Sequence, residues 1–368
     1  MKLQCQRDGL LLACQLVGVA VAGRTPLAIL SNIKAIADND RLILMATDRE
    51  IGIRYVLQGV QIDLGGEAIF PFNRLVSILR EASSDNIQIE ADANRMMVTV
   101  GSSEYEMATE NPAEFPDIPT FETPQSHELT AGVLRQMIRQ TVFAAAKEST
   151  KYAMTGVLWE VDEDKARLVA TDSKRLALIE GPAVVHGTVE KSGHTHLVPT
   201  KAMSLLEKNL NDADERVQVC LRPNEVLFQT EKATIYSRLV EGRFPPYKDI
   251  IPKKMNAKIP LPAQEFLAAV KQAAIMTEEE SKRVRFEFEP GKLKLFAQGN
   301  ATGRSKVELP LEFDGPALEI NFDPSLLVEM LRVLEPEQEQ IALELVDSTR
   351  PAVFRCGPHY LYLVMPLS

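Results

Sequence analysis

A chain of 368 residues with 45% hydrophobic composition is too long for one small core, and its length predicts two or three soluble globular domains. Its four cysteines, Cys5, Cys14, Cys220 and Cys356, include no C-x-x-C pair, which argues against a zinc framework or a disulfide scaffold and fits a reducing cytoplasm. A formal net charge of −10 means that any contact with nucleic acid must come from local clustering of Lys and Arg rather than from overall charge.

In chain order, the first apolar run follows Arg7 and Asp8 with helical Leu/Ala spacing, which predicts a helix over roughly 8–21 rather than a signal segment. No stretch is long enough to span a bilayer. The strand-like RLILM then leads to Ala46-Thr47-Asp48, Pro71 opens the amphipathic FNRLVSILREA, the strands NIQIEAD and RMMVTVG follow, and Phe115-Pro116 closes the unit. A second pass repeats the order, with a helix over roughly 133–146, KARLV before Ala170-Thr171-Asp172, Pro199 before TKAMSLLEKNL, RVQVCLR, VLFQTE and Phe244-Pro245. A third has a helix over roughly 264–275, KLKLFAQ with Ala297, Pro324 before SLLVEMLRVL, QIALELV, PAVFRC and Met365-Pro366. Proline suits a first helical turn, where its missing N–H leaves no bond unmade.

Three landmarks recurring in one order about every 125 residues define a threefold repeat. Each repeat is α+β, with one helix, a set of strands, a proline-started helix and alternating strands. The expected domains are 1–122, 123–254 and 255–368, with boundaries in the polar FETPQSHE and PKKMNAKIP segments.

Within and beside these helices the basic residues are Arg24, Arg74, Arg80, Arg135, Arg139, Lys147, Lys201, Lys208, Lys271 and Arg332, against the acidic Asp8, Glu81, Glu207, Glu265 and Glu329. A basic helical surface in an acidic chain points to a polyanion running along it, although helices carry Lys and Arg on any solvated face. Helices packed about 9 Å apart give, for twelve in a circle, a diameter near 35 Å and a hole of about 25 Å, wide enough for a duplex of about 20 Å. Six would leave only about 7 Å, so such a ring needs two chains joined by two identical heterologous contacts.

Gly23-Arg24 before a Leu-rich strand, VATDSKRLAL, LVEGRFPPY and the terminal YLVMPLS together resemble the β-subunit, or sliding-clamp, family of bacterial DNA polymerase III over the full length. The resemblance implies three clamp domains, each with two helices lining a central channel and antiparallel sheets outside, in a head-to-tail homodimeric ring. It implies a non-catalytic processivity subunit without cofactor or metal, which encircles double-stranded DNA whatever its sequence. Partners would be the replicative polymerase, the clamp loader and repair proteins, docking through linear motifs, with no membrane. By motif the docking pocket would comprise Lys151, Met154, Thr171, Ser173, Lys174, Arg175, Leu176, Pro245, Leu363, Val364, Met365, Pro366 and Leu367. The DNA-facing residues would be Arg24, Arg74, Arg80, Lys147 and Lys201, and the dimer contact Ile78, Tyr105 and Met107 against Ile275 and Met276.

Departures from the family pattern bear on motif preference: Ser173-Lys174 stands where Gly-His is frequent, Lys151 and Met154 where Arg and Leu are, Ser281 where an aromatic residue is, and Glu148 replaces a polar residue. An apolar cluster such as Met365, Pro366 and Leu367 serves as a peptide anchor or caps a strand's core. Thr47-Asp48 and Thr171-Asp172 read as strand-end turns rather than catalytic carboxylates, Trp159 as core, and His194-Thr195-His196 as a solvated loop rather than a metal site. Phosphate-loop, dinucleotide-binding and hydrolase-elbow motifs are missing. A peptide-binding scaffold without DNA is the alternative, and an enzyme is the third class.

Overall fold

The computed structural model describes residues 1–122, 125–148, 152–187, 195–278, 282–299 and 303–367. Its helices are α1 (Arg7–Val17), α2 (Phe72–Glu81), α3 (Ala131–Arg139), α4 (Thr200–Asn209), the single-turn α5 (Tyr247–Ile250), α6 (Ala263–Ala274) and α7 (Pro324–Arg332). α1 stops short of the expected 21 because the backbone tightens into a 3-10 turn over Gly18–Ala20. α3 stops at Arg139. Just beyond it Thr141 Oγ1 donates to the Met137 carbonyl at 2.7 Å, and a separate 3-10 turn, Val142–Ala144, follows.

The proline landmark resolves into two kinds of helix start. Pro324 is the first residue of α7, behind Asp323, whose carboxylate accepts the Ser325 N–H at 2.9 Å. Pro71 and Pro199 sit one position earlier, as capping residues of α2 and α4, with φ of −62° and −56°. α2 buries Leu75, Val76 and Leu79 on one stripe and leaves Arg74 and Arg80 in solvent.

The chain packs as two compact units, Met1–Leu134 with Ala183–Leu239, and Arg135–Pro182 with Val240–Ser368. The middle repeat is therefore shared between them, and strand pairing is the reason. Its strand Ala233–Arg238 pairs antiparallel with Ile51–Gln58 of the first repeat, and its strand Arg175–Pro182 pairs antiparallel with Tyr360–Val364 of the third.

The first unit holds a five-stranded antiparallel sheet, in the order Gln61–Leu64, Lys2–Gln6, Asn86–Ala91, Arg95–Val100, Ser103–Ala108, and a nine-stranded sheet built around the Ala233–Arg238 pairing. In the second unit a four-stranded sheet runs Gly303–Pro310, Lys292–Gly299, Val284–Glu289, Leu318–Phe322. A larger one runs Gly156–Asp162, Lys165–Thr171, Arg175–Pro182, Tyr360–Val364, Ala352–Cys356, Gln340–Leu345, Ala257–Pro262, antiparallel at every step.

Its core contains a run of aromatic rings, Phe266, Phe286, Phe322, Phe354, Tyr362 and Phe143, with successive centroids 5.3–6.5 Å apart. Trp159 is buried, as expected of a strand core.

His127 lies buried on the strand Ser126–Thr130 in the first unit. His196 opens the strand His196–Pro199 instead of lying in a loop, and His194 is outside the described residues. Burial, with a smaller contribution from His196, pushes the His127 imidazole down to about 3. The unfolded chain therefore binds a proton that the folded one refuses. Stability contributed by neutral His127 is complete above the unfolded value near 6.5 and falls as pH drops toward 3, by up to about 1.4 kcal/mol per pH unit. Urea unfolding at pH 7 and pH 5.5 should show this slope, and His127→Gln should flatten it.

Candidate peptide-docking site

The strand Lys165–Thr171 turns back on itself to become Arg175–Pro182. Thr171 Oγ1 donates to the Arg175 carbonyl at 2.6 Å and accepts the Ser173 N–H at 3.3 Å, while Asp172 Oδ1 accepts the N–H groups of Lys174 and Arg175 at 3.0 and 3.1 Å. Ser173 takes a φ of +74° at the apex. The first repeat builds the same turn. Thr47 Oγ1 donates to the Ile51 carbonyl at 2.7 Å, Asp48 Oδ1 accepts from Glu50 and Ile51 at 2.9 and 2.8 Å, and Arg49 has a φ of +76°. The Thr-Asp pairs are thus turn devices: short polar side chains satisfy the backbone of a tight reversal.

Arg175 fastens the second turn to its surroundings. Only 8% exposed, it donates through Nε to Asp172 Oδ2 at 3.0 Å, through Nη1 to Glu329 Oε2 on α7 at 2.5 Å, and through Nη2 to the Phe143 carbonyl at 2.7 Å. Its guanidinium also sits 5.3 Å from the Phe143 ring centroid. A rigid planar fork can meet three acceptors at once, which an ammonium cannot do in this geometry. Tyr362 adds a bond from its hydroxyl to the Leu326 carbonyl at 2.9 Å, so α7 is held at two points.

Alongside this turn runs Tyr360–Val364, with Arg175 opposite Val364 and Leu176 opposite Leu363. The Met365 N–H donates to the Lys174 carbonyl at 2.8 Å and the Leu367 N–H to the Asn321 carbonyl at 2.9 Å. Met365 is 39% exposed, and Pro366 and Leu367 are half-buried. The Met154 carbonyl accepts from Ala146 at 2.9 Å, and the Ala153 N–H donates to the carbonyl of Arg243, two residues before half-buried Pro245, at 3.1 Å.

The expected pocket residues therefore split by depth. Ser173, Lys174 and Met365 are exposed; Pro245, Pro366 and Leu367 are intermediate; Met154, Thr171, Arg175, Leu176, Leu363 and Val364 are buried. Lys151 and Ser281 lie outside the described residues. Sequence reasoning missed Phe143, Asn321, Glu329 and Tyr362, whose roles come from tertiary bonds with no local sequence signal.

All five basic residues expected to face DNA, Arg24, Arg74, Arg80, Lys147 and Lys201, are exposed. Lys201 is not a free cation, however, since its Nζ lies 2.5 Å from Asp48 Oδ2. Among the residues expected at the dimer contact, Ile275 is 70% and Tyr105 41% exposed, and Ile78 and Met276 are intermediate. Met107, opposite Met96 on the neighbouring strand, is 5% exposed within the single chain.

A polar recess of about 180 Å³ is lined by Glu160, Asp162, Glu163, Asp164, Lys165, Arg167 and Glu180. Burial pushes the Glu160 carboxyl up, but hydrogen bonds from Tyr247 and Arg167 outweigh it and hold it below the usual range. A carboxylate kept ionised by fixed donors is the mark of a structural ion-pair network, not of a general acid. Among the described residues no group of three or more His, Cys, Asp or Glu side chains is arranged to hold a metal ion.

The fold and site together define a repeat-built α+β protein of the clamp class, and comparison with known proteins gives the family. Family models described as the N-terminal, central and C-terminal domains of the DNA polymerase III beta subunit match residues 1–119, 128–246 and 248–367. The chain is 29% identical over 349 residues to a beta sliding clamp of Chlamydia pneumoniae, covering 94% of this chain and 93% of that one. It superposes on the Pseudomonas aeruginosa sliding clamp solved with griselimycin at a TM-score of 0.92 and 28% identity, covering 100% and 99% of the two chains. The Bacillus subtilis clamp gives a TM-score of 0.91 at 26% identity, with the same coverage. This chain belongs to the DNA polymerase III β-subunit family, the beta sliding clamps, and is a non-catalytic subunit.

Removing the Arg175 fork should cost about 2–3 kcal/mol, because three acceptors lose a charged donor. Arg175→Met and Arg175→Lys should both lower the urea midpoint, the lysine variant recovering only a minor part.

Proposed function

We propose that two copies of this chain close head to tail into a ring around duplex DNA, and that the replicative polymerase, the clamp loader and repair proteins dock on it through short peptides. The domains would divide near 122/123 and 254/255, and the protein would work in the cytoplasm. Among the described residues no helix is long and apolar enough to cross a membrane. The observation that carries the docking reading is the run Met365, Pro366, Leu367, held by backbone bonds at both ends yet only partly covered. A backbone fixed in this way presents apolar side chains without ordering cost when a partner arrives. Methionine's flexible thioether suits a surface that must accept several partners.

In a chain of net charge −10, exposed Arg24, Arg74, Arg80 and Lys147 support local basic surface, whereas Asp48 already neutralises Lys201. Helix packing supports the stoichiometry, since only about twelve helices leave a hole wide enough for a duplex. A closed ring holds DNA by topology, so few phosphates need to be gripped at once and salt dependence on a short linear duplex should be shallow.

Two measurements test the reading. After loading onto nicked circular DNA, the protein should co-elute with the circle in gel filtration and be lost once the circle is cut. Equal retention on both forms would mean direct binding, and no retention under competent loading would favour a scaffold. Separately, Met365→Asp should weaken binding of a fluorescent peptide with Leu and Phe anchors by at least about tenfold, with thermal stability unchanged. Undiminished affinity would remove Met365 from the site.

A further inference from the structure

The Thr-Asp turn is built twice on one backbone, and the two copies treat one charged residue differently. Glu50 and Lys174 hold the same place, third after the threonine of the turn. Each gives its N–H to the turn aspartate, Glu50 to Asp48 Oδ1 at 2.9 Å and Lys174 to Asp172 Oδ1 at 3.0 Å. Each carbonyl accepts from the strand beside it, Glu50 from the Arg238 N–H at 2.9 Å and Lys174 from the Met365 N–H at 2.8 Å.

Register makes these direct cross-strand pairs. Ile51 lies opposite Ser237 and Arg175 opposite Val364, so one step outward Glu50 lies opposite Arg238 and Lys174 opposite Met365. Side chains directly opposite each other share a face and interact, and opposite charges there stabilise the pair. In the first turn the charge is answered, because the Arg238 guanidinium reaches the Glu50 carboxylate at 3.5 Å. In the second, the residue opposite offers a thioether, and among the described residues Lys174 makes no ion pair.

The carboxylates around this turn are already engaged. Asp172 Oδ1 accepts two backbone N–H groups, Asp172 Oδ2 takes Arg175 Nε at 3.0 Å, and Glu329 Oε2 takes Arg175 Nη1 at 2.5 Å. Lys174 and Met365 thus stand side by side, both exposed and both on backbone fixed by hydrogen bonds. The lysine ammonium rides a flexible four-carbon stem. It can therefore follow a carboxylate over about two residues of an extended segment, at roughly 3.3 Å per residue.

We propose that Lys174 selects the docked segment by charge: a partner seats an apolar side chain against Met365 and sets an Asp or Glu, within about two residues of that anchor, on the Lys174 ammonium. This rests on the reading of Met365, Pro366 and Leu367 as a docking site and deepens it, naming an acidic and apolar segment as the ligand class. The carboxylate of the partner does for Lys174 what Arg238 does for Glu50, with the signs exchanged. Lys174 is a specificity residue rather than the source of affinity, because an exposed ion pair is weak and screened by salt.

The test is fluorescence anisotropy on the full chain, with short labelled peptides that keep Leu and Phe anchors and fill the other positions with Asn, one of which is changed to Asp at a time. At the position facing Lys174 the Asp peptide should bind at least about threefold more tightly than the all-Asn peptide, and the advantage should fade as salt rises. Lys174→Gln should abolish the preference. Lys174→Glu should invert it, so that a peptide with Lys at that position becomes the better ligand, while the all-Asn peptide binds all three proteins alike. Melting temperatures should agree among the three, since the side chain is exposed and the backbone bonds of the turn are kept. An unmodified chain that binds every peptide alike, or an Asp preference that survives Lys174→Gln, would overturn the selection by charge and leave docking at Met365 intact. Failure of every peptide to bind the unmodified chain would overturn the docking reading as well.

Discussion

The feature on which most of this structure depends is antiparallel pairing between strands of successive repeats. Ala233–Arg238 continues the sheet of the first repeat through Ile51–Gln58, and Tyr360–Val364 continues that of the middle repeat through Arg175–Pro182. Each pairing satisfies a row of backbone groups that would otherwise lie open to solvent. It also brings the end of one repeat against the Thr-Asp turn of the one before, and this juxtaposition, rather than any single motif, creates the candidate site.

The two junctions share a backbone and differ in side chains. At the first, the Arg238 N–H donates to the Glu50 carbonyl at 2.9 Å and the Arg238 guanidinium pairs with the Glu50 carboxylate at 3.5 Å; at the second, the Met365 N–H donates to the Lys174 carbonyl at 2.8 Å. The same hydrogen bond thus carries an ion-paired polar surface in one place and an apolar one in the other. Asp48 holds Lys201 where Asp172 holds Arg175, so the carboxylate left over from turn formation recruits a cation in both repeats. One backbone geometry thus carries a polar side-chain set at the first junction and an apolar one at the second.

Much of this was legible in the chain because it is local. Hydrophobic period marked the helices, and the three recurring landmarks marked the repeat. The Thr-Asp turns were readable because Asp bonds its own following backbone. What escaped was non-local. Glu329 lies far along the chain from Arg175, and nothing around either residue announces the pair. The sharing of the middle repeat between two units follows from strand pairings that periodicity cannot assign. Pro71 and Pro199 show a smaller limit: the fixed φ of proline serves a capping position as well as a first helical one, so the landmark marks a helix start only to within a residue.

All four cysteines are buried and unbridged, and burial pushes the thiols of Cys5, Cys14 and Cys356 up to about 12. Since the thiolate is the reactive species, the native fold presents almost no chemistry to a maleimide or an alkylating reagent. A single cysteine introduced at an exposed position would take the dye alone, so fluorescent derivatives can be made in the natural background without first removing the resident sulfurs.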